Sequence, residues 1–156
     1  MIELRLRYSY AEYKGKLYGY STDYKTLVSH DIEDVNLGFV PEYIQGHEYY
    51  TKVVRKKRID SAFKIETWGE IDGYSMRIWN LIDGKYTLEP ITAEEAEHFG
   101  VGFAEPGRYH AVFKELDEIN SIWEVRKPIE GFPFNTDEIV YLKKDGIWIE
   151  ENCSGL

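Results

Sequence analysis

Four histidines, one cysteine and 28 carboxylates are the residues of this 156-residue chain with chemistry to offer. His30, His47, His98 and His110 never fall at ligand spacing on one element, and neither C-x-x-C nor H-E-x-x-H occurs, so no metal site is read. Asp31, Glu33 and Asp34 form an acidic knot without the spaced oxygen ligands of a calcium loop. The glycines of "GVGFAEPG" (100–107) follow an expected helix instead of opening one, the reverse of a phosphate cradle. Ser21 and Ser75 lack the glycine of a nucleophile elbow. Cys153 sits beside Glu150 and Glu151, negative neighbours that raise a thiol pKa and slow its reactions. No cofactor is implied and no catalytic residue is assigned. His110 with Glu115 or Glu124 is the residual acid–base pairing, so catalysis stays open, with a non-enzymatic reading favoured.

Two groups of residues are binding candidates instead. The first is an aromatic pocket: Tyr8, Tyr10, Tyr18, Tyr20, Trp79 and Trp123, with Glu66 or Glu124 placed to fix a small cationic ligand. The second is an acidic face. The net charge is −9 and uneven: residues 1–91 carry 14 acidic and 13 basic side chains, residues 92–156 carry 14 and 6. Glu94, Glu95, Glu97, Glu105, Glu115, Asp117 and Glu118 are its candidates, and such a face speeds encounter with a basic protein. The overall field disfavours nucleic acid. The run "KVVRKKR" (52–58) holds five of the 19 basic residues and reads as an edge strand blunted by lysines, or as a local partner for the acidic region. By composition alone the chain is of the class of small acidic immunity or antitoxin proteins.

These residues need elements to hold them. Ile2, Leu4, Leu6, Tyr8 and Tyr10 alternate with polar neighbours, which predicts a half-buried strand with the even positions inward. A three-residue loop, Tyr13-Lys14-Gly15, would pair Tyr10 with Tyr18 and Tyr8 with Tyr20; lysine is a poor first residue for the alternative two-residue turn, which would pair Tyr10 with Gly19. Residues 22–36 have apolar positions at helical spacing. A strand is expected over 48–59, then a three-stranded meander turning at Asp72-Gly73 and Asp83-Gly84. Thr92 and Glu95 form a capping box that opens a helix over 93–99, ended by Gly100. Strands are expected at 107–116 and 121–127, and a closing hairpin turns at Asp145-Gly146. Four tryptophans are normally core residues.

The segment "PGRYHAVF" (106–113) resembles a strand of GyrI-like effector-binding domains, which are α+β modules that bind small, often cationic, ligands. Their long following helix has no counterpart in "DEINSIWEVRKPIEGF", so membership does not follow.

The expected fold is therefore a single domain over 1–156, mainly β with α+β as the variant. It is an antiparallel barrel or strongly bent sheet of eight or nine strands with one or two short helices. One cysteine fits a reducing, cytoplasmic setting. The first residues show no secretory signal, and no run approaches the ~18 apolar residues of a membrane span.

Overall fold

A computed structural model describes residues 2–156. Its strands are β1 (Ser9–Tyr13), β2 (Lys16–Ser21), β3 (Thr26–Ser29), β4 (Val40–Ile44), β5 (His47–Val53), β6 (Ser61–Ile71), β7 (Tyr74–Ile82) and β8 (Lys85–Glu89). The helix α1 (Ala93–Phe99) follows, then β9 (Phe103–Glu105), β10 (Arg108–Tyr109), β11 (Val112–Lys114), β12 (Ser121–Pro128), β13 (Ile139–Lys144) and β14 (Ile147–Trp148). The fold is mainly β. Twelve strands form one antiparallel sheet in the order β11-β8-β7-β6-β1-β2-β3-β5-β4, with β12, β13 and β14 branching from β6, while β9 and β10 form a separate ribbon. The expectation of eight or nine strands undercounts. The sheet does not close: β4 and β11 end its main path, so the barrel alternative is corrected to an open, branched sheet. Among the described residues no helix is long and apolar enough to cross a membrane.

Two-residue turns set the registers. Lys14-Gly15, Gln45-Gly46, Asp72-Gly73, Asp83-Gly84 and Asp145-Gly146 all have positive φ at both positions, the backbone that matches strand twist in tight hairpins. The Lys14-Gly15 turn (φ 51° and 78°) overturns the three-residue loop. Tyr10 faces Gly19, Ala11 faces Tyr18 and Tyr13 faces Lys16. A shift of one residue exchanges the faces of a strand, and the tyrosine ladder is split by it. Tyr13, Tyr18 and Tyr20 enter one core with Ala11 and Ala62. Ala11 and Ala62 are register partners, and their small side chains leave room for the rings. The meander turns, the α1 caps at Thr92 and Gly100, and the last hairpin stand where the sequence puts them. The helix expected over 22–36 is replaced by β3 and a 3-10 turn, Ile32–Leu37. Its apolar spacing misleads because Ile32 and Val35 are exposed, while Leu27 is buried by strand pairing to Lys52. The strand expected over 107–116 is broken into β10 and β11.

β6 is the spine. Its N-terminal half pairs with β1 and its C-terminal half with β7 on the same edge, and β12 runs along its other edge. Each end serves a different core. Ile71 joins Leu4, Met76, Ile78, Leu88, Ile119, Ile122 and Leu142 in the first. Ala62 joins Tyr18, Leu27, Phe39, Val54 and Ile59 in the second. The odd positions of β6 belong to the first core's face and Ala62 to the other. Residues 2–8 are not a strand: the chain leaves β6 after Tyr8, whose carbonyl accepts Ile65 N–H (3.1 Å). It is then held by side chains, the Thr67 hydroxyl donating to the Arg5 carbonyl and Leu4 N–H to Tyr86 Oη (3.0 Å).

Candidate functional site

The eight pocket candidates are scattered over four places and do not line one pocket. Tyr18 and Tyr20 are buried in the second core: Tyr18 donates to Asp34 Oδ1 (3.0 Å) and packs on Phe39, and Tyr20 packs edge-on to Phe132. Tyr10 and Glu124 lie at the buried end of the first core's face. Glu124 is 0% exposed and receives Arg5 Nε on one oxygen and Arg126 Nη2 on the other, each at 2.8 Å. Burial beside this cluster pushes the Tyr10 phenol up to about 12, with Arg5 opposing and Glu124 adding to the shift. Both Glu124 oxygens are thus occupied, and His110 is exposed. Tyr8 is 68% exposed.

The remaining three, Glu66, Trp79 and Trp123, share the outer face of the sheet. The register makes that face continuous. Tyr141 of β13, Trp123 of β12, Trp68 of β6, Arg77 of β7 and Glu89 of β8 are successive Cα partners. Five strands therefore present one row of three aromatic rings, a guanidinium and a carboxylate. Trp123 and Tyr141 lie 5.6 Å apart, and Arg77 stacks 4.0 Å over Trp79. Glu66 holds Lys127 at 2.8 Å and Arg77 at 3.6 Å. The Lys127 hydrogen bond, against some burial, lowers its pKa, and Arg77 helps. Arg77 Nε is buried and without a hydrogen-bond partner. Trp68, Trp79 and Trp123 are only half-buried, which corrects the expectation of four core tryptophans; Trp148 does pack on the first core. Sequence reasoning left Trp68, Arg77 and Tyr141 out. Alternation marks them as outward residues, but only the β12–β6–β7 register aligns them.

At the Trp79 end the face runs into a groove of ≈ 470 Å³, lined among others by Arg7, Trp79, Glu89, Arg108, Tyr109 and Phe113. A bulge between Ile78 and Asn80 interrupts the β7 alternation there, and Arg108 bridges Glu89 (3.4 Å) and Glu105 (3.6 Å).

At the C-terminal end of β6 the acids gather. Glu70 accepts from Asn120 (2.8 Å) and from Gly73 N–H (2.9 Å). His98 of α1 meets Asp72 at 3.0 Å, and Tyr74 donates to Glu94. The Glu115–Glu118 capping box directly precedes Asn120. Burial raises the Tyr74 phenol, and Glu94, Glu95 and Asp72 add to it. Glu94, Glu97, Glu115, Asp117 and Glu118 are exposed, and Glu95 is tied into the helix cap. Glu105 stands apart, on the ribbon. Glu70, two positions along β6 from Trp68, joins the acidic end to the aromatic row.

The fold and this face define a mainly β, antiparallel-sheet protein with a surface aromatic row beside an acidic end. The chain belongs to the family described as "Uncharacterised conserved protein UCP033725", whose model matches residues 7–130. No curated protein and no solved structure matches it. Among the described residues, no three His, Cys, Asp or Glu side chains converge as a metal site would require.

Proposed function

We propose that the chain is a non-enzymatic binding module for a basic protein, anchored by the outer aromatic row and steered by the acidic end. The observation that carries this is the register-aligned row of Tyr141, Trp123, Trp68 and Arg77. Trp, Tyr and Arg supply most of the energy at protein interfaces, and they act best on a rigid support. Here the support is the middle of a sheet. Arg77 is held in the row by its stacking over Trp79 and its pairing with Glu66. Carboxylates beside an anchor raise the association rate of a basic partner more than its final affinity. The immunity- or antitoxin-like role remains an analogy of class.

The test is capture of proteins on the immobilised chain, followed by kinetics on what is retained. A basic protein should be held at low salt and lost at high salt. Trp68→Ala/Trp123→Ala should speed its dissociation by about tenfold or more. Glu94→Lys/Glu95→Lys/Asp117→Lys should slow association and flatten its salt dependence. Retention of nothing basic at low salt, or wild-type kinetics in both variants, refutes the reading.

The groove at Trp79 favours a second reading, a small-ligand site on a cupped sheet. Arg108 is already bridged to Glu89 and Glu105 there, which leaves Arg7, 5.8 Å over Trp79, to meet a ligand, so a planar ligand carrying a carboxylate fits better than the cationic one expected from sequence. Such ligands should change the fluorescence of the wild type and leave Trp79→Phe unaffected; an equal response from both removes this reading.

A further inference from the structure

The opposite end of β6 is basic. The run at 52–58 is not an edge strand: β5 ends at Val53, between β3 and β4, and Lys56–Arg58 form a single 3-10 turn. Val54 and Ile59, each 3% exposed, pin the turn to the second core from both sides. Val54 N–H donates to Lys25 O (2.8 Å), which brings the Lys25 backbone alongside. Two grooves, ≈ 630 and ≈ 520 Å³, open around the turn. Arg55 and Lys57 line both; Lys52 and Arg58 complete the first, and Lys25, Lys56 and the Gly131–Pro133 loop the second. Lys56 Nζ lies 5.2 Å over the Phe132 ring, in the space that a side chain at Gly131 would need.

These cations are not neutralised by the chain. Among the described residues Arg5, Lys16, Arg77, Arg108, Lys114, Arg126 and Lys127 all reach carboxylates. Among the described residues none of Lys25, Lys52, Arg55, Lys56, Lys57 or Arg58 pairs with a carboxylate, although Lys52 Nζ donates to the Leu37 carbonyl (2.6 Å). Arg7, Lys14, Lys64, Lys85, Lys143 and Lys144 are unpaired as well, and what sets the six apart is that they gather around one turn. Like charges held on one rigid turn repel each other and destabilise the fold unless an anion joins them. We propose that the two grooves bind a short, phosphate-rich anion of two or three linked phosphates, bridged by Arg55 and Lys57. Arginine suits this by bidentate contact and lysine as a point charge. The rest of the molecule is acidic, so a long polyanion that runs out of the grooves leaves the reach of their cations and crosses surface of its own sign. A compact anion gains all the attraction and none of that cost.

The test is calorimetric titration of the full chain with inorganic triphosphate at low salt, with a single-stranded oligonucleotide as the long-polyanion comparison. Triphosphate should bind saturably and raise the melting temperature. Arg55→Gln/Lys57→Gln should weaken binding by about tenfold or more, while Lys64→Gln/Lys85→Gln, which removes the same charge elsewhere, should stay within about twofold. Circular dichroism checks that both variants are folded. The proposal is overturned by no saturable binding, by equal loss in both variants, or by tighter binding of the oligonucleotide. It is also overturned if the basic end is instead closed by the acidic end of a second copy, seen as self-association that Arg55→Gln/Lys57→Gln abolishes and triphosphate does not disturb.

Discussion

Arg5 and Glu124 are 119 positions apart in the chain, and their Nε and Oε2 atoms are 2.8 Å apart in the fold. Arg126 completes a buried Arg–Glu–Arg cluster, with Nη1 on Thr136 (2.7 Å) and its guanidinium 4.7 Å over Phe63. Arg5 also holds the carbonyls of Asn152 and Ser154. Removing one member of such a cluster leaves the others charged and uncompensated, whereas replacing all of them with apolar groups is often neutral. Glu124→Gln should cost about 3–5 kcal/mol in urea unfolding. Arg5→Met/Glu124→Leu/Arg126→Met should cost less than the single change. The reverse order would show that the cluster stabilises on balance.

Asp34 gives the stability a pH dependence. It is buried and accepts hydrogen bonds from Ser29 Oγ, Lys16 Nζ (3.0 Å) and Tyr18 Oη (3.0 Å). Burial alone would raise its pKa, but the three donors together lower it below the ordinary 3.8. A depressed folded pKa contributes stability above the unfolded value, and that contribution is lost as pH falls through the folded one. Asp34→Asn should therefore cost about 1–3 kcal/mol near neutrality, and its deficit should shrink below pH 3.8. A deficit that is constant with pH would contradict the assignment.

Two glycines should fail on substitution for different reasons. A Cβ at Gly15 meets nothing within 4 Å, yet its φ is +78°, so Gly15→Ala should cost about 1–2 kcal/mol through backbone strain alone. At Gly69 the backbone is ordinary, but a Cβ would lie 2.9 Å from Ile119 Cγ2 and 3.1 Å from Ile78 Cδ1. Gly69→Ala should cost about 1–3 kcal/mol by overpacking the first core. Ile78→Val, which removes the Cδ1 methyl from that contact, should recover part of the loss when paired with it, and no variant at Ile78 should rescue Gly15→Ala.

Cys153 should react slowly with thiol reagents while the protein is folded. Its Sγ contacts the Ile149 and Leu142 carbonyls at 3.2 and 3.5 Å. Burial is the main cause of its raised pKa, with Glu124 and Glu150 adding and Arg5 opposing. Denaturant should restore the rate of a free thiol; equal rates before and after unfolding would show that the tail is not docked.

Much of the local structure was legible. Asp72-Gly73, Asp83-Gly84 and Asp145-Gly146 locate hairpins because few residue pairs adopt two successive positive φ values. Thr92, Glu95 and Gly100 bound α1 because they satisfy its end groups. The 22–36 segment was misread because strand pairing to β5, absent from any local window, overrides apolar spacing there. At the candidate site, residue type alone groups Trp79, Trp123 and Glu66 as pocket lining and makes the tryptophans core residues; only register places them on an outer face with Trp68, Arg77 and Tyr141.

The sequence by itself determined the Asp-Gly turns, the caps of α1 and that antiparallel pairing dominates, since these depend on the backbone preferences of a few adjacent residues; the Lys14-Gly15 and Gln45-Gly46 turns it did not determine. The tertiary structure decided which tyrosines of β1 and β2 enter a core, how an aromatic row crosses five strands, and that β6 has an acidic end and a basic one. Each of these depends on register between segments far apart in the chain, and a slip of one residue reverses every side chain it carries.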